Sequence, residues 1–341
     1  MDWEAFEKHK PFAGEKKPSM LRRRVGHSYE SRCIYLITMT VEGRQPLLGR
    51  LVGDADAPEG SPEAPRVELT PLGEQVRACW ESISNYYPEV RVLATMVMPD
   101  HLHGILFVER QMDQPLGMVL KGFKAGCNKA YRSWLASLGL ASPMPQQCCG
   151  KENTQTPGFL FSRNYNDHIL DNAGELERWF AYLRDNPRRL AVKRQHPEFF
   201  TVVQQVPLGE WSCQMVGNRD LIYSPSKAAV IVHGGDSDQR YAELSQQWLT
   251  LGENGGVLIS AAIATREKKV MREAMNRGYK LICLRANGFP PLYKPAGESF
   301  DACSKGTLLQ VSPWEYQTNR RTISREQCLQ LNRLAEYIAS L

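Results

Sequence analysis

Two runs rich in β-branched and apolar residues, Val90–Val97 and His101–Val108, are separated only by Met98-Pro99-Asp100. A link that short joins neighbouring strands, so this stretch commits the chain to an antiparallel sheet. Cys33-Ile34-Tyr35-Leu36-Ile37-Thr38-Met39-Thr40 reads as a further buried strand ahead of them. Residues 53–66 are acidic and rich in Gly and Pro, a solvated loop. Thr70 is placed to cap a helix through about Tyr86, with Val76, Cys79, Trp80 and Ile83 on one face. Beyond the paired strands, the pattern predicts a helix from about Gln114 to Leu138. After a loop containing Cys148-Cys149-Gly150 it predicts another over 171–186, stopped at Pro187. Strand, helix, strand, strand, helix, helix suits a ferredoxin-like α+β layer, an antiparallel sheet with helices packed on one face.

From about Val206 the pattern changes. Ala229–His233, Gly256–Ser260 and Lys280–Leu284 read as strands, alternating with helices after Gly-rich turns and predicting a Rossmann-like parallel α/β domain. Thr322–Leu341 closes the chain as an amphipathic helix. A length of 341 residues suits two domains, here 1–204 and 205–341.

Lys and Arg exceed Asp and Glu by 42 − 37 = 5, too small an excess to demonstrate a nucleic-acid partner. Nine cysteines without a CxxC pair argue against a disulfide framework or zinc ribbon and for reduced thiols. The charged N-terminus lacks the apolar core of a signal peptide, and no run reaches the ~20 apolar residues of a membrane helix. The expectation is a soluble cytoplasmic protein.

The sharpest local feature is Pro99-Asp100-His101-Leu102-His103-Gly104. Residues two apart on a strand share a face, so both imidazoles project together while Leu102 points into the core. Two convergent nitrogen donors are half of a divalent-metal site. Tyr182 and Asn186, four apart, share one face of the 171–186 helix. If that face abuts the histidine strand, Asn186 can add an oxygen ligand and Tyr182 can present its hydroxyl to a bound phosphate. Core packing of Tyr182 and capping by Asn186 before Pro187 are the structural alternatives.

Tyr182-x-x-x-Asn186-Pro187 after a His-x-His strand, with Asn166-Asp167-His168-Ile169 between them, resembles the HUH transposases, in particular the REP-associated tyrosine transposases. The likeness covers roughly residues 20–200 and takes in Arg22-Arg23-Arg24 and Phe123-Lys124. It departs from the family pattern in the linker 133–157 and in Leu183, where Ile is more usual. The resemblance implies a strand transferase that nicks and religates single-stranded, hairpin-containing DNA through a 5′-phosphotyrosine on Tyr182. It implies Mg²⁺ or Mn²⁺ on His101, His103 and Asn186, and either a monomer or a homodimer that exchanges the tyrosine helix. Exchanging one phosphodiester for another needs no nucleotide, in keeping with the lack of a GxxxxGK[ST] loop. His168 is a candidate auxiliary base, or else fixes its loop through a hydrogen bond.

Basic residues flank this constellation: Arg22, Arg23 and Arg24; Lys121, Lys124, Lys129 and Arg132; then Arg184, Arg188, Arg189, Lys193 and Arg194. They are the expected phosphate contacts, with Tyr131, Trp134 and Tyr165 as candidates to stack unpaired bases. A catalytically silent DNA-binding or regulatory protein, and a phosphodiesterase using water, remain the alternatives. In the second domain, Gly217-Asn218-Arg219, Gly234-Gly235, Ser260-Ala261-Ala262-Ile263 and Gly306-Thr307-Leu308-Leu309 with Pro313-Trp314 give a pattern that resembles the DprA-like DNA-processing proteins. Gly234 and Gly235 lie where a phosphate could approach a helix, and Arg266, Lys268 and Lys269 are candidate contacts, although glycines that merely permit tight turns explain the pair equally well.

Overall fold

The computed structural model describes residues 24, 26–140, 159–291, 293–319 and 322–341. Arg22, Arg23, Cys148 and Cys149 lie outside them. The chain divides into two units between Ala191 and Val192.

In the first unit, β1 (Cys33–Thr40), β4 (Val90–Met98), β5 (His101–Val108) and β6 (Asn166–Leu170) form an antiparallel sheet in the order β4-β5-β1-β6. A separate hairpin, β2 (Gly49–Val52) with β3 (Arg66–Leu69), flanks the acidic loop. Helix α1 (Pro71–Glu81) starts as its sequence predicts. Thr70 Oγ1 accepts from Gly73 N–H, Pro71 takes a position needing no donor, and Leu72, Val76 and Trp80 recur on the buried face. Helix α2 (Leu116–Ser137) buries Leu116, Val119, Leu120, Phe123 and Cys127, the stripe of an amphipathic helix. Both helices share a core with Tyr35, Ile37 and Met39 of β1 and Leu102 and Leu106 of β5.

Helix α3 (Glu175–Gln195) departs from expectation twice. It packs on the other face of the sheet, where Leu183, Trp179, Phe180 and Tyr182 meet Leu36 and Ile105, so the helices are not confined to one face. It also runs through Pro187 instead of stopping there. Proline removes one donor and costs about 3 kcal/mol inside a helix. Burial of Leu183 and Ala191 on either side, and the ion pairs of Asp185 with Arg188 and Arg189 across the proline, offset that loss.

Gly104 marks where the first core is tightest. A Cβ there would lie 2.1 Å from Trp80 Cζ2, because the fully buried indole lies directly on β5. Gly104→Ala is expected to destabilise the unit by about 3 kcal/mol through overpacking, measured as a lower denaturant midpoint.

The second unit holds a six-stranded mixed sheet. β7 (Val203–Leu208) and β8 (Trp211–Gly217) are antiparallel additions to the parallel series β12 (Leu308–Ser312), β11 (Lys280–Leu284), β10 (Val257–Ser260) and β9 (Lys227–Ala229). Helices α4 (Asp238–Glu253), α5 (Thr265–Asn276) and α6 (Glu298–Ser304) connect successive parallel strands, and α7 (Arg325–Ser340) closes the chain. Since the parallel strands advance in one direction, right-handed crossovers put the three connecting helices on one face. Leu331, Leu334 and Ile338 of α7 cover the other, against Ile259, Ile282 and Leu309. The strand expected over Ala229–His233 ends at Ala229. Beyond it, Glu267 Oε1 and Asp236 Oδ2 accept the N–H groups of Val232 and His233 that a continuing strand would offer its neighbour.

Candidate functional site

Alternation along β5 sends Leu102 into the α1–α2 core and turns His101 and His103 toward α3. Their rings sit 4.7 Å apart, centroid to centroid, at 84°. The Tyr182 ring lies 6.0 Å from His103, and Asn186, one turn further along α3, is buried. Imidazole pair and phenol thus gather within one chain, with Asn186 four residues on from Tyr182 on the same helix.

Each imidazole is oriented through Nδ1. His101 Nδ1 donates to Asp100 Oδ1 at 2.6 Å, and Asp100 also accepts from Arg44 at 3.2 Å. His103 Nδ1 shares a 2.8 Å hydrogen bond with Thr38 Oγ1, directly across the β1–β5 ladder. Anchoring Nδ1 leaves Nε2 of both rings for another partner, the arrangement that orients metal-binding histidines. Burial, followed by the neighbouring His101, pushes His103 down to about 3, so its imidazole is neutral. The hydrogen bond from His101, with that from Arg44, holds Asp100 below the ordinary carboxylate range.

The depressed His103 value has a stability consequence. Between about 3 and the ordinary 6.5, the unfolded chain binds a proton that the folded chain refuses, so stability falls as pH is lowered through this window. The limiting slope is about 1.4 kcal/mol per pH unit. Lowered carboxylates such as Asp100 and Asp171 add to the wild-type slope, so the expected result is a shallower acid dependence in His103→Asn, the difference between the two denaturant titrations approaching this limit.

Around Tyr182, Trp179 makes an edge contact at 5.2 Å, and the Arg189 guanidinium lies 5.4 Å over the ring. Arg189 is buried and also approaches Asp185. The Asn186 amide nitrogen is buried without a hydrogen-bond partner, an unfavourable state for a polar atom unless a ligand completes it. Among the described residues, no group of three or more His, Cys, Asp or Glu is placed to hold a metal. A cation here would rest on two imidazole nitrogens and an amide oxygen, with positions left open for other ligands.

The remaining candidates are dispersed. His168 stands on β6, not in a loop, where it pairs with Glu175 at 3.5 Å and leans on Trp179 at 5.4 Å. Lys124 donates to the carbonyls of Ser162, Arg163 and Asn164 at 2.6, 3.2 and 3.1 Å, respectively. Arg188 holds Asp185 with two hydrogen bonds, and Arg24 pairs with Asp171 at 2.6 Å. Lys121, Lys129, Arg132 and Arg184 are exposed. Tyr131, Trp134 and Tyr165 are half-buried against the first core. In the second unit, Gly234 and Gly235 sit in an exposed turn, and Arg266 bonds Asp236 O and Asp238, while Lys268 and Lys269 are exposed.

Sequence reasoning missed Thr38 and Arg44. The signal for Thr38 was present: a small hydroxyl residue between Ile37 and Met39 in a largely apolar strand.

No family model matches the chain. An uncharacterized protein of Haemophilus influenzae is 24% identical over 181 residues, a match covering 47% of this chain and 83% of that protein. Among solved structures, a REP-associated tyrosine transposase bound to a REP hairpin matches at 14% identity and a TM-score of 0.30, over 48% of this chain and 70% of that one. DNA processing protein A from Helicobacter pylori, described by its single-stranded DNA binding mode, matches at 16% identity and a TM-score of 0.30, over 41% of this chain and 65% of that one. A candidate transposase from Deinococcus radiodurans matches at 14% identity and a TM-score of 0.27, over 48% of this chain and 98% of that one. Likeness at this level transfers no residue's role. Among the described residues no helix is long and apolar enough to cross a membrane.

Proposed function

We propose that the first unit is a DNA strand transferase of the single-tyrosine HUH kind, which nicks and rejoins single-stranded DNA beside a hairpin. The observation that supports this reading is the approach of the Tyr182 ring to within 6.0 Å of His103, whose ring lies 4.7 Å from that of His101, with Asn186 buried one turn further along the same helix. The order of the motifs in the sequence agrees with it.

In this reading the Tyr182 hydroxyl attacks the scissile phosphorus and loses its proton as the new O–P bond forms. The bond to the 3′ oxygen breaks, leaving a free 3′-hydroxyl and a 5′-phosphotyrosine. The reverse attack by a 3′-hydroxyl rejoins DNA, and the two phosphodiesters are close in energy. His101 and His103 present Nε2, Asn186 its amide oxygen, and the neutrality of His103 keeps its lone pair available. Mg²⁺ or Mn²⁺ held there would polarise a phosphate oxygen and offset the charge that develops on it. The unpartnered Asn186 nitrogen can donate to that phosphate, and Arg189 places positive charge beside the phenol.

Exposed Lys121, Lys129, Arg132 and Arg184 are available to meet a phosphate backbone. We read the second unit as a Rossmann-like accessory that binds nucleic acid or a partner, on the strength of its parallel strands and crossover helices. The test is incubation of the full chain with single-stranded hairpin DNA and Mn²⁺, followed by a denaturing gel. A protein–DNA adduct that EDTA prevents is expected. Cut DNA with no adduct would mean hydrolysis by water, and uncut DNA would mean binding alone.

A further inference from the structure

A cleft of about 330 Å³ opens between β1 and the segment Ser162–Asn166. Its lining mixes apolar and polar groups: Val41 and Tyr165 beside Thr38 and Thr40 of β1, Arg44 from the turn after it, and Ser162, Asn164 and Asn166 of the facing segment. Two of these side chains are the ones that orient the histidines, Thr38 through His103 and Arg44 through Asp100 and His101. The cleft therefore adjoins the imidazoles through shared residues. Its volume is at the small end of the roughly 300–1,000 Å³ typical of pockets for one small ligand, which suits a single nucleotide and not a duplex. Neutral hydroxyls and amides outnumber cations in the lining, a composition matched to the edge of a base more than to a phosphate.

The far wall is ordered in advance. Lys124 reaches the carbonyls of Ser162, Arg163 and Asn164 and fixes the backbone on which Asn164 stands. Asn164 and Asn166 are both exposed to solvent in the cleft. An amide carries a donor and an acceptor side by side, the pattern that reads a base edge at two points.

We propose that this cleft receives the unpaired nucleobase next to the scissile phosphate, and that Asn164 and Asn166 select it by hydrogen bonding. The inference rests on the strand-transfer reading and adds to it the place where sequence is read. Lys124, expected from the sequence to contact phosphate, becomes a positioning residue for this wall.

The test uses the full chain, Mn²⁺ and a pool of DNA hairpins with randomised single-stranded tails, sequencing the cut products. In parallel, the Tyr182→Phe chain is titrated without metal against tails that carry each of the four bases at the flanking positions. The wild type is expected to favour one base at one flanking position by about 10-fold or more, the discrimination a two-point contact provides. Asn164→Ala and Asn166→Ala are each expected to flatten that position, raising KM for the preferred tail with little change in kcat. Lys124→Met should weaken the preference with both amides still present. Cutting with no preference at either flanking position, or with a preference that survives the double Asn variant, overturns the proposal and leaves strand transfer standing. Base-selective binding that the Asn variants lose, without any cutting or adduct, supports the cleft as a base site and sinks the strand-transfer reading instead.

Discussion

Tyr182→Phe is expected to remove covalent capture of DNA, a loss of at least about 10⁴-fold, while hairpin affinity stays within about twofold. The substitution deletes one oxygen. The ring contacts with Trp179 at 5.2 Å, His103 at 6.0 Å and Arg189 at 5.4 Å survive, because they belong to the ring and not to the hydroxyl. Folding should therefore be little changed, and a thermal melt run beside the gel checks this. Affinity is preserved because contacts along the phosphate backbone, not the nucleophile, supply most of the binding. Cleavage that continues in this variant would show that water is the nucleophile and that the phenol is packing.

His101→Ala should abolish cutting almost as completely, by about 10³-fold or more, again with hairpin binding retained. His101 is the better of the two histidines for this test. Its side chain is 17% exposed and hydrogen-bonds a surface turn, whereas His103 is buried and tied to Thr38 inside the sheet. Removing His101 subtracts one Nε2 donor with little loss of core. Calorimetric titration with Mn²⁺ should show weakened binding in the same variant. If hairpin affinity collapses together with cutting while the melt is unchanged, His101 contacts DNA directly and the cation assignment fails.

Much of this site was legible before the fold was known. Period-two alternation puts His101 and His103 on one face, and the four-residue spacing puts Tyr182 and Asn186 on one side of a helix. What no local pattern contains is which face of the sheet that helix covers. It is decided by the path of the chain, and α3 lies opposite α1 and α2, on the side where the imidazoles project. The continuation of α3 past Pro187 was also hidden, since a rule for isolated helices omits the burial of Leu183 and Ala191 around the break. Strand β6 was missed because Asn166-Asp167-His168 is too polar to resemble a strand, although at the sheet edge such residues pair with β1 through their backbone. In the second unit, the shortened β9 follows from Glu267, a buried carboxylate that captures the N–H groups of Val232, Ile263 and Ala264. Its contacts span 35 positions of sequence, beyond any local signal.

The basic residues expected to contact phosphate are placed differently from the phenol and the imidazoles, for a related reason. Charge runs identify a basic stretch but not what each cation meets. Lys124 turns to backbone carbonyls, Arg188 to Asp185, and Arg189 to the tyrosine ring, while Arg184 remains on the surface. A basic cluster read as one DNA-binding face therefore divides into residues that build the site and residues that can approach a strand.

The most direct measurement is to digest the protein–DNA adduct formed with Mn²⁺ and identify the modified peptide by mass spectrometry. The nucleotide should be found on Tyr182, linked through its 5′ phosphate. Attachment to another side chain, or through a 3′ phosphate, would contradict the juxtaposition of phenol and paired imidazoles as the reacting centre.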